Sequence, residues 1–165
     1  MSSPATCALY AGTFDPVTLG HMDLIQRGVE LFGSLLVAVA ANRSKSPLFT
    51  VEERIAMLEA ECKGMPVKVV GLSGLVVEFA REQGVNVLLR GVRTVTDFEY
   101  EYPMAMTNRQ LAPDIESVFV MPNERYAYLS SRLIKEVYGA GGELQKFLPD
   151  AVHAALQERL SPKTS

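Results

Sequence analysis

Cysteine and histidine are scarce in this chain, with two of each among 165 residues. Cys7 and Cys62 stand in unrelated contexts, as do His21 and His153. No Cys-x-x-Cys or His-Glu-x-x-His string is present, which excludes a zinc or iron–sulfur site caged by the protein. So few thiols suit a reducing cytoplasm. Long apolar runs are also missing. Leu35 to Ala41 is the longest, far short of the roughly 20 residues that a bilayer span needs. The opening Met1-Ser2-Ser3-Pro4 has neither the basic start nor the apolar stretch of a signal peptide. Nor is there an excess of positive charge. Sixteen Lys and Arg face nineteen Asp and Glu, for a net charge of −3 and a pI near 5.4. That argues against a broad nucleic-acid surface, though a local basic pocket remains compatible with it. What the chain does have is apolar material: 48% hydrophobic residues and a mean hydropathy of +0.11. This is enough for a core and excludes disorder as the main state. Without linkers or repeats, residues 1–165 read as one domain.

Short apolar runs alternate with helix-like segments. The runs Cys7–Ala11, Leu35–Ala40, Val67–Gly71, Val85–Leu89 and Ser117–Met121 are too short for helices. They lack polar–apolar alternation, as strands buried on both faces do. Between them, Leu19–Phe32 carries Ile25, Val29 and Phe32 at helical spacing. Thr50-Val51-Glu52-Glu53 is a capping box opening a helix through Ile55 and Leu58. Leu75–Glu82 predicts a short helix closed by Gly84. Phe98–Leu111 predicts a helix interrupted or restarted near Pro103. Ser131–Tyr138 and Pro149–Leu160 complete the set, with a frayed tail expected beyond. This order implies a doubly wound, five-stranded parallel α/β sheet with right-handed crossovers.

In such a sheet, ligands bind beyond the carboxyl ends of the strands. Five segments fall there: Gly12 to His21, Asn42 to Ser46, Ser73-Gly74, Arg90 to Arg93, and Asn123 to Arg132. They are rich in cations, hydroxyls, glycine and one histidine, and poor in carboxylates. Arginine forks, lysine and helix N-termini bind phosphate, so a polyphosphate ligand is expected. Neither the Walker A string nor Gly-x-Gly-x-x-Gly is present, which disfavours P-loop and dinucleotide-dependent chemistry. Taken alone, several of these residues have plainer readings. Arg90 and Arg93 could form weak surface salt bridges with Asp97 and Glu101, in either pairing. Ser130 and Ser131 could simply cap a helix. Asp15 reads as a turn residue before Pro16. Cys7 reads as a buried strand residue, Cys62 as a helix-end thiol, and His153 as structural or exposed.

Thr18-Leu19-Gly20-His21 resembles the Thr/His-x-Gly-His signature of the nucleotidylyltransferases. The longer string from Gly12 to His21 resembles the phosphopantetheine adenylyltransferases of bacterial coenzyme A synthesis. The resemblance continues through Ser44-Lys45-Ser46-Pro47, Phe49 to Arg54, Arg90-Gly91-Val92-Arg93, Asp97 to Glu101, Asn108-Arg109 and Glu116 to Phe119. It ends with Ser130-Ser131, Lys135-Glu136-Val137, Gly141-Gly142 and Phe147-Leu148-Pro149. It thus covers nearly the whole chain.

That resemblance implies a Rossmann-like fold and transfer of AMP from ATP to 4′-phosphopantetheine, giving dephospho-coenzyme A and pyrophosphate, with Mg²⁺ held mainly through the ATP phosphates. It implies that His21 contacts the α-phosphate, and that Lys45 and Arg90 hold the acceptor phosphate. Thr13 would lie between the substrates. ATP would meet Phe14, Gly91, Val92, Arg93, Glu101, Tyr126, Ser130, Ser131 and Arg132. The pantetheine arm would lie along Val76, Tyr100, Met104 and Asn108. Arg132 stands where the family usually has serine or threonine. A homohexamer and feedback inhibition by coenzyme A are further implications. Two other readings stay open: a sister nucleotidylyltransferase with another phosphorylated acceptor, and a non-catalytic coenzyme A sensor.

Overall fold

The computed structural model describes residues 6–41 and 47–160. Five strands form one sheet: β1 (Thr6–Gly12), β2 (Gly33–Ala40), β3 (Val67–Leu72), β4 (Val87–Gly91) and β5 (Glu116–Val120). Every pairing is parallel and the order is β3-β2-β1-β4-β5. The chain therefore winds outward from β1 to one edge, then crosses back to lay β4 against β1 and continue the other way. The expected doubly wound α/β sheet is present.

The missing alternation in the strands has its cause in two cores, one on each face of the sheet. From β1, Ala8 and Tyr10 enter one cluster, and Leu9 and Ala11 enter the other. β2 divides in the same way, with Leu35, Val37 and Val39 against Leu36 and Ala38. The first cluster is closed by α1 (Leu19–Phe32), α2 (Val51–Glu61), α5 (Ser131–Gly139) and α6 (Asp150–Leu160), through residues such as Ile25, Leu58, Ile134 and Leu156. The second is closed by α3 (Val76–Glu82), through Val77 and Ala80, and by Ala112 and Ile115 just after α4 (Val95–Leu111). α1 lies close to the sheet at Gly28. A Cβ there would stand 2.8 Å from a Leu89 methyl and 3.0 Å from one of Leu35.

Two sequence expectations need correction. The fourth strand begins at Val87, not Val85. The Val85 N–H donates to the Ala80 carbonyl and closes the turn after α3, so its apolar side chain reports burial and not strand. Pro103 does not interrupt α4, which runs unbroken across it. The ring deprives the Glu99 carbonyl, one turn back, of its N–H. Glu99 is exposed, so water can take that oxygen, and the helix continues.

Candidate active site

β1 and β4 are the point where the winding reverses, and ligands of open α/β sheets sit there. A cavity of about 210 Å³ opens at their carboxyl ends. Gly12 ends β1 on one side, and Arg90 and Gly91 end β4 on the other. Thr18 and His21 come from the start of α1, and Ser130 and Ser131 from the start of α5. A second cavity, of about 230 Å³, adjoins it. Ala11, Gly12 and Arg90 line both, so they form a shared wall. The second cavity is more apolar, with Leu72, Val76, Met104 and Ala105, and holds the polar groups of Thr13, Glu101 and Asn108.

His21 is positioned by a capping box. Thr18 is the N-cap of α1. Its Oγ1 accepts from the His21 N–H at 3.3 Å, while the Thr18 N–H donates back to His21 Nδ1 at 3.0 Å. Histidine thus fills the N3 position that Glu or Gln usually holds. Because Nδ1 accepts a backbone N–H, it carries no proton, and the neutral ring keeps its proton on Nε2. Burial, followed by the nearby Arg93 charge, lowers the His21 pKa to about 4. Near neutral pH the ring is therefore an uncharged Nε2–H donor. The edge of the Phe14 ring packs on it with centroids 5.0 Å apart, and Tyr10 packs on Phe14 in turn at 5.3 Å. Phe14 adopts φ 51°, a left-handed conformation rare for a side chain this large, and is 1% exposed. Its aromatic ring is a support for His21.

Arg90 and Arg93 line the first cavity and also make the ion pairs that were the plainer reading. Arg90 gives Nε and Nη2 to the two oxygens of Glu101 at 2.8 and 2.6 Å, and Nη1 to the Ala11 carbonyl at 3.0 Å. Burial works against the Arg90 charge, but Glu101 outweighs it and its pKa is raised. Arg93 forks onto Asp97 through Nε at 2.9 Å and Nη2 at 3.2 Å, and Nη1 donates to the Leu129 carbonyl. Both guanidiniums are thus held rigid at the cavity, with part of each fork already engaged.

The start of α5 is prepared for an anion. Ser130 is its N-cap and accepts from the Leu133 N–H at 3.1 Å. The Ser131 hydroxyl donates to the Pro16 carbonyl at 2.9 Å. The Ser131 hydroxyl proton is thus engaged, which leaves the Ser130 O–H and the first-turn N–H groups, which no helix can satisfy internally, as donors for a ligand.

The sequence-predicted residues fall into four places. His21, Gly91, Arg93, Tyr126, Ser130 and Ser131 line the first cavity, with Arg90 in the wall. Thr13, Val76, Glu101, Met104 and Asn108 line the second. Glu101, assigned to ATP by resemblance, lines the second cavity and not the first, and pairs with Arg90. Phe14, Val92, Tyr100 and Arg132 line neither cavity. The Val92 N–H pairs with the Val120 carbonyl, and Tyr100 is exposed on α4. The Arg132 side chain is 91% exposed and pairs with Glu136. Lys45 lies outside the described residues. His153 sits on α6 beside Gln157 and lines neither cavity. Cys62 is buried after α2, and burial raises its thiol pKa to about 11. Among the described residues, no cluster of three His, Cys, Asp or Glu could hold a metal ion, and no helix is long and apolar enough to cross a membrane.

Sequence reasoning missed two buried charges beneath the site. Arg54, 1% exposed, donates to the carbonyls of Phe49, Thr50, Thr13 and Ala40, and so ties the end of β2 to the loop after β1. Asp15, equally buried, accepts the N–H groups of Leu48 and Phe49 and pairs with Lys135 of α5. Arginine on a helix and aspartate before proline give no warning of such roles.

A parallel α/β sheet whose switch point carries a neutral histidine, two fixed arginines and a helix N-terminus is a phosphate-binding nucleotide fold. The chain belongs to the cytidylyltransferase-like family, in the nucleotidyltransferase superfamily; the family model matches residues 9–137. Two solved structures share the fold. One is described as a nicotinate-nucleotide adenylyltransferase from Vibrio parahaemolyticus, at 14% identity and a TM-score of 0.68, covering 94% of this chain and 93% of that one. The other is a lipopolysaccharide core biosynthesis protein from Thermoplasma volcanium GSS1, at 21% identity and a TM-score of 0.54, covering 72% and 96%.

Proposed function

We propose that this nucleotidyltransferase moves AMP from ATP onto 4′-phosphopantetheine. The observation that carries the reading is the pair of cavities meeting at Ala11, Gly12 and Arg90. One suits a polyphosphate and the other a phosphorylated arm with apolar and amide character. A phosphate oxygen of the acceptor attacks the α-phosphorus of ATP. A new P–O bond forms, the bond to the bridging oxygen of the β-phosphate breaks, and pyrophosphate leaves. The nucleophile is already anionic near neutral pH, so no general base is required. The protein's contribution is placement and charge stabilisation.

In this reading His21 donates Nε2–H to an α-phosphate oxygen, where charge grows in the transition state. Arg93 and the N–H groups of α5 hold the β- and γ-phosphates. Arg90 holds the acceptor phosphate at the shared wall, and Lys45 shares that role by the family resemblance. Val76, Met104 and Asn108 flank the arm. The donor set is cationic, and Glu101 is engaged by Arg90, which fits Mg²⁺ entering on the ATP phosphates and not on a protein cage. Carried in on the nucleotide, the ion would supply neutralisation of phosphate charge. Coenzyme A as a feedback inhibitor and a homohexameric assembly belong to the same reading. Val95, Phe98 and Leu111, apolar and exposed on α4, support a subunit contact.

The test is pyrophosphate release from ATP with a panel of phosphorylated acceptors. Turnover is expected with 4′-phosphopantetheine and not with nicotinate mononucleotide. The reverse preference would assign the chain to a sister reaction. Coenzyme A binding without any pyrophosphate release would make it a sensor.

A further inference from the structure

Asp15 was expected to do no more than turn the chain before Pro16. The structure gives it three partners from two distant segments. Its Oδ1 accepts the Phe49 N–H at 2.9 Å, and its Oδ2 accepts the Leu48 N–H at 3.0 Å. The same Oδ2 stands 2.6 Å from Lys135 Nζ, one turn inside α5. The next residue extends the link: the Pro16 carbonyl accepts from Ser131 Oγ at 2.9 Å. A carboxylate 1% exposed would be costly if unpaired, and here each oxygen is occupied. Burial opposes its charged form, but Lys135 and the two N–H groups prevail and hold its pKa below the ordinary carboxylate value. Lys135 is itself only 29% exposed, so water screens the pair weakly.

We propose that Asp15 is a positioning residue that fixes the phosphate-facing end of α5, through Lys135, and the 47–50 segment, through its main-chain N–H groups, to the loop after β1. The proposal rests on reading the start of α5 as part of the triphosphate site. His21 rides on α1, which follows the Asp15–Pro16 turn directly, whereas the groups for the β- and γ-phosphates ride on α5. The two halves of the nucleotide site come from segments more than a hundred residues apart, and the Asp15–Lys135 ion pair and the Ser131–Pro16 hydrogen bond join them in this seam. A phosphate chain spans fixed distances, so loosening the seam misaligns one half against the other.

The experiment measures ATP affinity by titration without acceptor, together with amide hydrogen exchange. Lys135→Met keeps the aliphatic stem and removes the charge. It is expected to raise the ATP dissociation constant about tenfold and to speed exchange in the first turn of α5, while Lys135→Arg restores both. Asp15→Asn should do the same and also speed exchange at Leu48 and Phe49. The double variant should be no worse than the poorer single one, since both act through one link. Mere destabilisation would lower the fraction of active protein and leave the dissociation constant unchanged. An unchanged constant in folded Lys135→Met, or additive effects in the double variant, would overturn the proposal. If Asp15→Asn does not fold, the lysine variants decide alone. If the unaltered chain binds no ATP while the exchange changes appear, the link stands and the nucleotide reading of the site falls.

Discussion

At the scale of single residues, the position of the His21 proton decides the chemistry. Thr18 uses its N–H to fix Nδ1 as an acceptor, and burial disfavours the charged ring. A neutral donor aimed at a phosphate oxygen stabilises charge that develops late. A fixed imidazolium would bind the ground state as well and gain less in rate. The linkage to pH follows from the sign of the shift. The folded pKa, about 4, lies below the ordinary 6.5, so the unfolded chain takes up a proton first as the medium acidifies. The stability due to the neutral ring is complete above about pH 6.5 and is lost as the pH falls toward 4. Proton NMR of the free protein can follow this, since two histidines give few ring signals. The signal absent from His21→Ala should titrate with a midpoint near pH 4. A midpoint near 6.5 would remove the case for a neutral donor. Of this arrangement the sequence revealed the motif and not its mechanics. Thr18 and His21 stand three apart, as a capping box requires, but the ring's burial depends on Phe14 and Arg93, and the latter comes from a strand end seventy residues away. The partners of Asp15 and Arg54 were illegible because most are backbone groups, which have no letter in a sequence, and Lys135 lies 120 residues from Asp15.

At the scale of elements, local chemistry was a good guide wherever the caps were strong. Thr50 with Glu53 forms the expected capping box, with Thr50 N–H to Glu53 at 2.7 Å, and α1 spans Leu19–Phe32 as its periodicity predicts. Failures came where tertiary context overrode a local rule. Val85 is apolar because it is buried beneath α3, and it never pairs as strand. Pro103 breaks one hydrogen bond in an exposed turn of α4, and the remaining length of the helix tolerates the loss. An element that merely tolerates proline should gain when it is removed. Pro103→Ala is expected to stabilise the fold by about 1–3 kcal/mol, from the restored bond and the better helix propensity, read as a higher midpoint in urea unfolding. Unchanged or lower stability would mean that the Pro103 ring supports something on α4 that an alanine cannot.

At the scale of the whole molecule, the net charge of −3 coexists with a cationic cleft because the fold sorts charge by position. Arg90 and Arg93 reach the cleft from the end of β4 and the turn after it, and Arg54 is buried just beneath. Many of the acidic residues lie on the helices around the sheet, Glu52, Glu59 and Glu158 among them. The strand order then makes the chemistry possible. At β1 and β4 neighbouring strands send their following loops apart, and there the two cavities share a wall. The class of fold and the address of the site could be read from the alternation of strands and helices. The division into two cavities could not, because it depends on Arg90 being held upright by Glu101 and Ala11. In the proposed reaction the adenylyl group crosses that wall from ATP to the acceptor. Incubation with ATP labelled at the α-phosphorus and with 4′-phosphopantetheine tests it most directly. The account predicts that the label appears in dephospho-coenzyme A while unlabelled pyrophosphate is released in equal amount. Label that stays in ATP, or leaves as free AMP with no labelled conjugate, would contradict it.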